Sequence, residues 1–189
     1  MIYSTGYCHD ITDADRAHVS TFAPSEQEHL RNKTLGLCWD QSFMGILIAK
    51  RLCSYLLGQK EQDVTLVYNS VGKPCVPGVH ISISHCDDMV VSAVSKSPIG
   101  VDVERIRDDF PDLSRFCTPR EQIYLSEAED SLSFSERCCR IWTFKESYFK
   151  SLGSGIPDLR AICMFDYLHL IRQFTIGQYL FSFFIHPEP

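Results

Sequence analysis

Three β-rich runs in mid-chain, joined by very short connections, constrain the fold more than any other feature of this sequence. Residues 79–84 (Val-His-Ile-Ser-Ile-Ser) alternate strictly, the pattern of a strand with one buried face. His85-Cys-Asp-Asp88 is a tight connection, and residues 89–95 (Met-Val-Val-Ser-Ala-Val-Ser) read as the partner strand of a hairpin. Ser97-Pro98 interrupts the chain, and residues 99–106 form a third strand. Links this short leave no room for a crossover helix, so the hairpin must be antiparallel.

The segments on either side follow the same outline twice. Residues 1–8 suit a first strand, residues 11–23 carry helical spacing, and Ser25 with Glu28 has the pattern of a capping box opening a second helix. From residue 40 to 57 the apolar positions Phe43, Ile46, Leu47, Leu52 and Leu56 keep a helical period, and Gly58 is placed to end it. Residues 63–69 are β-rich and lead into the turn Gly72-Lys73-Pro74. Beyond the mid-chain strands, Thr118-Pro119-Arg-Glu121 combines an N-cap, a first-position proline and a third-position glutamate, predicting a helix from 119 to about 128. Ser133 or Ser135 caps the next helix, which ends at Leu152-Gly153, and strands are expected near 160–166, 168–175 and 178–185. The expected fold class is α+β, in two similar halves (1–96 and 97–189), each a small antiparallel sheet backed by helices. The likeness of the halves is one of element order; no close repeat is read.

Composition narrows the function. Apolar residues make up 44 % and charged residues 22 %, which fits a packed domain rather than a disordered chain. A net charge of −6 argues against a nucleic-acid-binding surface, so any anionic ligand must be held by local cations. The first ten residues lack a basic start and a long apolar run, and no targeting segment is expected. The apolar stretches 43–49 and 179–185 are far short of the roughly 20 residues a membrane helix needs. Nine cysteines contain no Cys-x-x-Cys pair, which favours reduced, mostly buried thiols of a cytoplasmic protein over a zinc site.

The chemistry concentrates in two stretches. In the strand Gly100-Val-Asp-Val-Glu104, Asp102 and Glu104 share one face, roughly 6.5–7 Å apart, while Val101 and Val103 point the other way into a core. In the helix Trp142-Thr-Phe-Lys-Glu-Ser-Tyr-Phe-Lys150, Trp142, Glu146 and Lys150 stack along one side and Lys145 lies beside them. Each stretch alone reads as an ordinary wet strand face or a helical ion pair. Together, Asp102, Glu104 and Glu146 form a set of hard oxygen ligands suited to Mg²⁺, a cation that completes its shell with water and substrate phosphate. Lys145, Lys150, Lys73 and the strand-end pair Ser84-His85 would surround a diphosphate, where catalysis is mainly positioning and charge neutralisation. No phosphate-binding loop and no nucleophile elbow is present.

Gly72-Lys-Pro, Ile83-Ser-His85, Ile99-Gly-Val-Asp-Val-Glu104 and the 142–150 helix occur in an order and spacing that resembles the 4′-phosphopantetheinyl transferases of the surfactin-synthetase-activating type. The motifs cover about residues 70–155. The resemblance implies a monomer of two pseudo-symmetric halves with the site at their interface, the first half supplying the adenosine side. It implies transfer of the phosphopantetheine arm of coenzyme A to a serine of an acyl or peptidyl carrier protein, with release of 3′,5′-ADP. Asp102, Glu104 and Glu146 would hold Mg²⁺, or Mn²⁺ in its place. Lys145 and Lys150 would contact the phosphates, Lys73 and Pro74 the adenine, Ser84 and His85 the phosphates. Glu146 would be the base, directly or through a water on the metal. The family often carries cations before the long helix and an Arg-Ser/Thr pair near its start. Here Glu26, His29 and Gln41 stand at those positions and only Ser42 is retained, with Arg31 and Lys33 as substitutes in a shifted register. Arg105, Arg107, Arg115 and Arg120 are candidates for meeting an acidic carrier. The alternative reading is a non-catalytic homologue that binds coenzyme A or a carrier; a metal-dependent nucleotide hydrolase is a third.

Overall fold

The computed structural model describes residues 1–127, 131–153 and 158–186. Strands β1 (Ile2–Tyr7), β2 (Val67–Tyr68), β3 (Pro74–Val76), β4 (Val79–Cys86) and β5 (Met89–Ser95) form an antiparallel sheet in the order β1-β5-β4-β3-β2. Strands β6 (Ile99–Arg105), β7 (Ile171–Ile176) and β8 (Tyr179–Ile185) form a second antiparallel sheet in the order β6-β8-β7. Helices α1 (Asp13–Ala17), α2 (Pro24–Arg31) and α3 (Leu37–Leu57) precede β2; α4 (Pro119–Glu127) and α5 (Phe134–Leu152) lie between β6 and β7. The fold is α+β, with mixed helices and antiparallel sheets as expected.

The two sheets face each other between two long helices. On β5, Met89, Val91 and Ala93 join Val101 and Val103 of β6 and Phe181 and Phe183 of β8 in one buried cluster. The opposite face of β5 meets α3, where Val94 packs with Ala49 and Cys53 and the Ser92 hydroxyl donates to the Gly45 carbonyl at 3.1 Å. Both faces are therefore dry, and every residue of β5 is buried. Each large apolar side chain in these layers contributes about 1.5–3 kcal/mol. The alternation in β4 does not divide core from solvent: Ser82 and Ser84 are buried. They turn to β6, where Ser82 Oγ accepts from Val101 N at 3.0 Å and Ser84 Oγ donates to Asp102 at 2.8 Å. Short polar side chains thus line a seam between the sheets.

On β6, Val101 and Val103 enter the inter-sheet core, and the alternate residues face α5. Gly100 permits the close approach of that helix: a Cβ there would lie 1.8 Å from the Ser147 carbonyl oxygen. The seat of α5 is fixed at its ends by the Ser133 hydroxyl, which accepts from Glu136 N, and by Gly153 at φ 68°.

The two halves share a buried ion pair with the same sequence spacing. Glu26, at the third position of α2, accepts from Ala23 N, Leu66 N and Lys50 Nζ, the last at 2.9 Å; Lys50 also donates to the Val64 carbonyl. Glu121, at the third position of α4, accepts from Thr118 N, Met164 N and Lys145 Nζ, the last at 2.9 Å; Lys145 also donates to the Leu159 and Ile162 carbonyls. The sequence carries this repeat as Pro24-Ser-Glu-Gln-Glu-His-Leu30 and Pro119-Arg-Glu-Gln-Ile-Tyr-Leu125.

Several elements differ from expectation. The start of α2 lies at Ala23-Pro24 with Glu26 as the capping carboxylate, and Ser25 Oγ instead bonds the Leu66 carbonyl. The 11–23 stretch breaks into α1 and a 3₁₀ turn, and only Val67–Tyr68 of the 63–69 run pairs as strand. No strand forms at 160–166, where 3₁₀ turns Leu159–Ala161 and Met164–Asp166 supply a carbonyl and an amide, and Ile162 between them a second carbonyl, to the Glu121–Lys145 pair. The expected end of α4 at Ala128 lies outside the described residues. All nine cysteines are free, six of them buried and Cys38 exposed. Among the described residues no helix is long and apolar enough to cross a membrane.

Candidate active site at the seam of the two sheets

The seam brings Asp102 and Glu104 of β6 against Ser84 and Cys86 of β4 on one side and Trp142, Glu146 and Lys150 of α5 on the other. Asp102 is 3 % exposed. Its Oδ1 accepts from Lys150 Nζ at 2.6 Å and from Ser84 Oγ at 2.8 Å, and Lys150 Nζ also reaches Ser84 Oγ at 2.9 Å. Asp102 Oδ2 is buried without any hydrogen-bond partner. An orphaned carboxylate oxygen beside two further acids is costly unless something fills its valence.

Glu104 is held at both oxygens: Trp142 Nε1–H donates to Oε1 at 3.1 Å and the Cys86 thiol to Oε2 at 3.4 Å. Its pKa is raised above the ordinary glutamate value, first by burial and then by the neighbouring Asp102. Glu146, one turn before Lys150, is also raised: burial is the main cause, Asp102 and Glu104 add to it, and Lys150 opposes it. Among the described residues nothing hydrogen-bonds the Glu146 carboxylate. Burial, then the charge of Glu104 and Asp87, push the Cys86 thiol up to about 12, so it is a neutral donor at physiological pH.

The donor set fits an oxygen-seeking divalent cation. The orphaned Oδ2 of Asp102 and the unpartnered carboxylate of Glu146 are groups that such an ion would engage. Among the described residues no three His, Cys, Asp or Glu side chains converge on a ready-made metal site.

Beside the seam, Gly72, Lys73, Pro74, Ser82, Lys150 and Gly153 help line a pocket of about 270 Å³. Lys73 Nζ reaches across it to the Lys150 carbonyl in the last turn of α5, and burial lowers its pKa. His85 lies on the exposed side of β4; the protein around it, then Lys150 and Lys33, hold its pKa below the usual histidine value.

Lys145 is the site expectation that the geometry overturns. It is 1 % exposed, and Nζ is fully engaged by Glu121 and two carbonyls, so it cannot reach a ligand at the seam. Its position was readable: Cys138, Ile141 and Phe149 set a buried stripe of helical period that passes through residue 145. Ser42 donates to the Cys38 carbonyl within α3 at 3.0 Å. The positions lacking cations have structural partners: Glu26 with Lys50, His29 stacked on Tyr68 at 4.0 Å, and Gln41 donating to the Asp87 carbonyl at 2.6 Å. Three of the four candidate arginines have exposed acidic partners, Arg105 with Asp87, Arg107 with Asp109 and Arg120 with Asp166. The sequence reading missed the holders of Glu104. The signal was a shared spacing: Cys86 follows Ser84 by two on β4 as Glu104 follows Asp102 by two on β6.

A seam of three acids and one lysine is thus shared by two antiparallel sheets and a long helix. Residues 98–184 match the family model of the 4′-phosphopantetheinyl transferase superfamily. It is 36 % identical over 121 residues to the 4′-phosphopantetheinyl transferase gsp of Aneurinibacillus migulanus, covering 61 % of this chain and 49 % of that protein. It is 25 % identical over 142 residues to the 4′-phosphopantetheinyl transferase Sfp of Bacillus subtilis (strain 168), covering 73 % of this chain and 63 % of that protein. With the 4′-phosphopantetheinyl transferase psf-1 of Bacillus pumilus the identity is 28 % over 124 residues, covering 61 % and 51 %. The chain thus spans about half to under two thirds of the length of these curated relatives.

Proposed function

We propose that this protein transfers the 4′-phosphopantetheine arm of coenzyme A to a serine of an acyl or peptidyl carrier protein. The observation that carries the reading is the seam itself: Asp102, with its buried, unpartnered oxygen, shares one site with Glu146 and Lys150 of α5. Asp102, Glu104 and Glu146 would hold Mg²⁺, or Mn²⁺ in its place, whose charge would neutralise the coenzyme A diphosphate. Residues 1–96 supply Lys73, Pro74, Ser84, His85 and Ser42 on the adenosine and phosphate side. Residues 97–189 supply the acids and Lys150.

Glu146 takes the proton from the carrier serine hydroxyl. A carboxylate whose pKa is raised by burial is a stronger base than an exposed one, which suits a weak hydroxyl nucleophile. The serine oxygen forms a bond to the β-phosphorus, the bond from that phosphorus to the bridging oxygen breaks, and 3′,5′-ADP leaves with the electron pair. Lys150 holds Asp102 in place and offsets charge on the phosphates. Arg115, which makes no ion pair among the described residues, and exposed Phe116 offer the carrier a mixed basic and apolar contact. Nine unpaired thiols suit a reducing compartment such as the cytoplasm, and one chain that holds both sheets suits a monomer.

Incubation with coenzyme A, Mg²⁺ and an apo carrier domain should add one phosphopantetheine to the carrier by mass. Glu146→Gln should slow that gain by about 10²–10⁴-fold with the far-ultraviolet circular dichroism unchanged. Coenzyme A binding with no mass gain by the unaltered protein would mark a binding module instead.

A further inference from the structure

We propose that Trp142 and Cys86 are positioning residues for Glu104, holding its carboxylate through neutral donors so that its full negative charge remains available to a divalent cation. The inference rests on the reading above that Asp102, Glu104 and Glu146 receive such an ion.

The geometry assigns one donor to each oxygen of Glu104. Trp142 comes from α5, Cys86 from β4 and Glu104 from β6, so three separate elements converge on one side chain. Left alone, a half-buried glutamate beside Asp102 has every electrostatic reason to rotate toward solvent. The two hydrogen bonds oppose that rotation. Their chemistry matters as much as their placement. An indole N–H is only a donor and carries no charge, and a thiol is a weak neutral donor. Asp102 is held differently, by the charged ammonium of Lys150 at 2.6 Å. A second cation on Glu104 would compete with the ion the acids are meant to take, and the neutral donors avoid that competition. Bonds of this kind to a metal-binding carboxylate typically govern affinity by 10–100-fold.

Equilibrium Mn²⁺ binding, followed by loss of the free-ion paramagnetic resonance signal, tests this on the whole chain without turnover. Trp142→Phe keeps the ring and removes the N–H; its Mn²⁺ dissociation constant should rise about tenfold. Cys86→Val should weaken binding several-fold, and Cys86→Ser, which restores a donor, should bring it back. At saturating metal the KM for coenzyme A should stay within about twofold in all three, because none of these groups lines the Lys73 pocket. Mn²⁺ affinity unchanged in Cys86→Val and in folded Trp142→Phe would overturn the assignment while leaving the cation reading intact. If the unaltered chain binds no Mn²⁺, the cation reading falls and the assignment with it. The Val/Ser pair at residue 86 decides the question even if Trp142→Phe does not fold.

Discussion

Glu104 and Glu146 hold protons in the folded protein more tightly than in the unfolded chain, because burial and mutual repulsion raise both pKa values above the ordinary 4.5. Their contribution to stability is therefore present at acid pH and is lost as pH rises from about 4.5 through the raised folded values. A divalent cation at the seam would reverse that loss, and only where the acids are ionised. Mg²⁺ at a hundredfold excess over its dissociation constant should add about 2.7 kcal/mol at pH 7.5 and almost nothing at pH 4. Thermal melts with Mg²⁺ and with chelator at the two pH values check this. An equal shift at both would show that the ion binds elsewhere. The sequence placed Asp102 and Glu104 on one strand face because period two leaves no other choice. The stripe of Cys138, Ile141 and Phe149 places residue 145 on the buried side of its helix, but its partner Glu121 arrives from a different element, which no local pattern announces.

The relation between α5 and β6 decides where Glu146 and Lys150 stand against Asp102. Gly100 sets it, with no room for a Cβ against the Ser147 carbonyl. Gly100→Ala must push the helix off the strand, and backbone cannot yield as a side chain can. Overpacking of this kind costs about 1–3 kcal/mol or more. Urea unfolding should show that loss, and the proposed transfer activity should fall further than the stability of the remaining folded protein explains. A variant with unchanged stability and activity would refute the role given to this contact. Helices with strong local signals were legible: α3 and α5 end at Gly58 and Gly153 with φ of 66° and 68°, as expected of C-terminal glycines. Residues 160–166 were not. Their apolar spacing imitates a strand, but their backbone is turned inward to serve Lys145 and Glu121, a demand no local pattern announces.

At the scale of the whole molecule, the repeated Glu–Lys pair is the clearest mark of two related halves. Both pairs are almost fully removed from water, and each glutamate also accepts backbone amides. Removing one partner strands a buried charge, which costs about 3–5 kcal/mol. Lys50→Met and Lys145→Met should each destabilise by that amount, and adding Glu26→Gln or Glu121→Gln to its own partner should recover part of the loss. Double-mutant cycles in urea check both halves. A neutral effect at either pair would mean that it is dispensable and that the likeness is only one of sequence.

The distribution of sulfur gives the protein a built-in stoichiometric ruler. Cys38, exposed just inside the start of α3, should take one maleimide quickly in the native state, with half-buried Cys75 following more slowly. Burial shields the six interior thiols, and the Cys86 thiol, pushed up to about 12, is a poor nucleophile at neutral pH. Labelling in denaturant should reach nine per chain. Intact mass against time then counts how often the chain opens, and a fluorophore on Cys38 reports from the mouth of α3 without disturbing the seam.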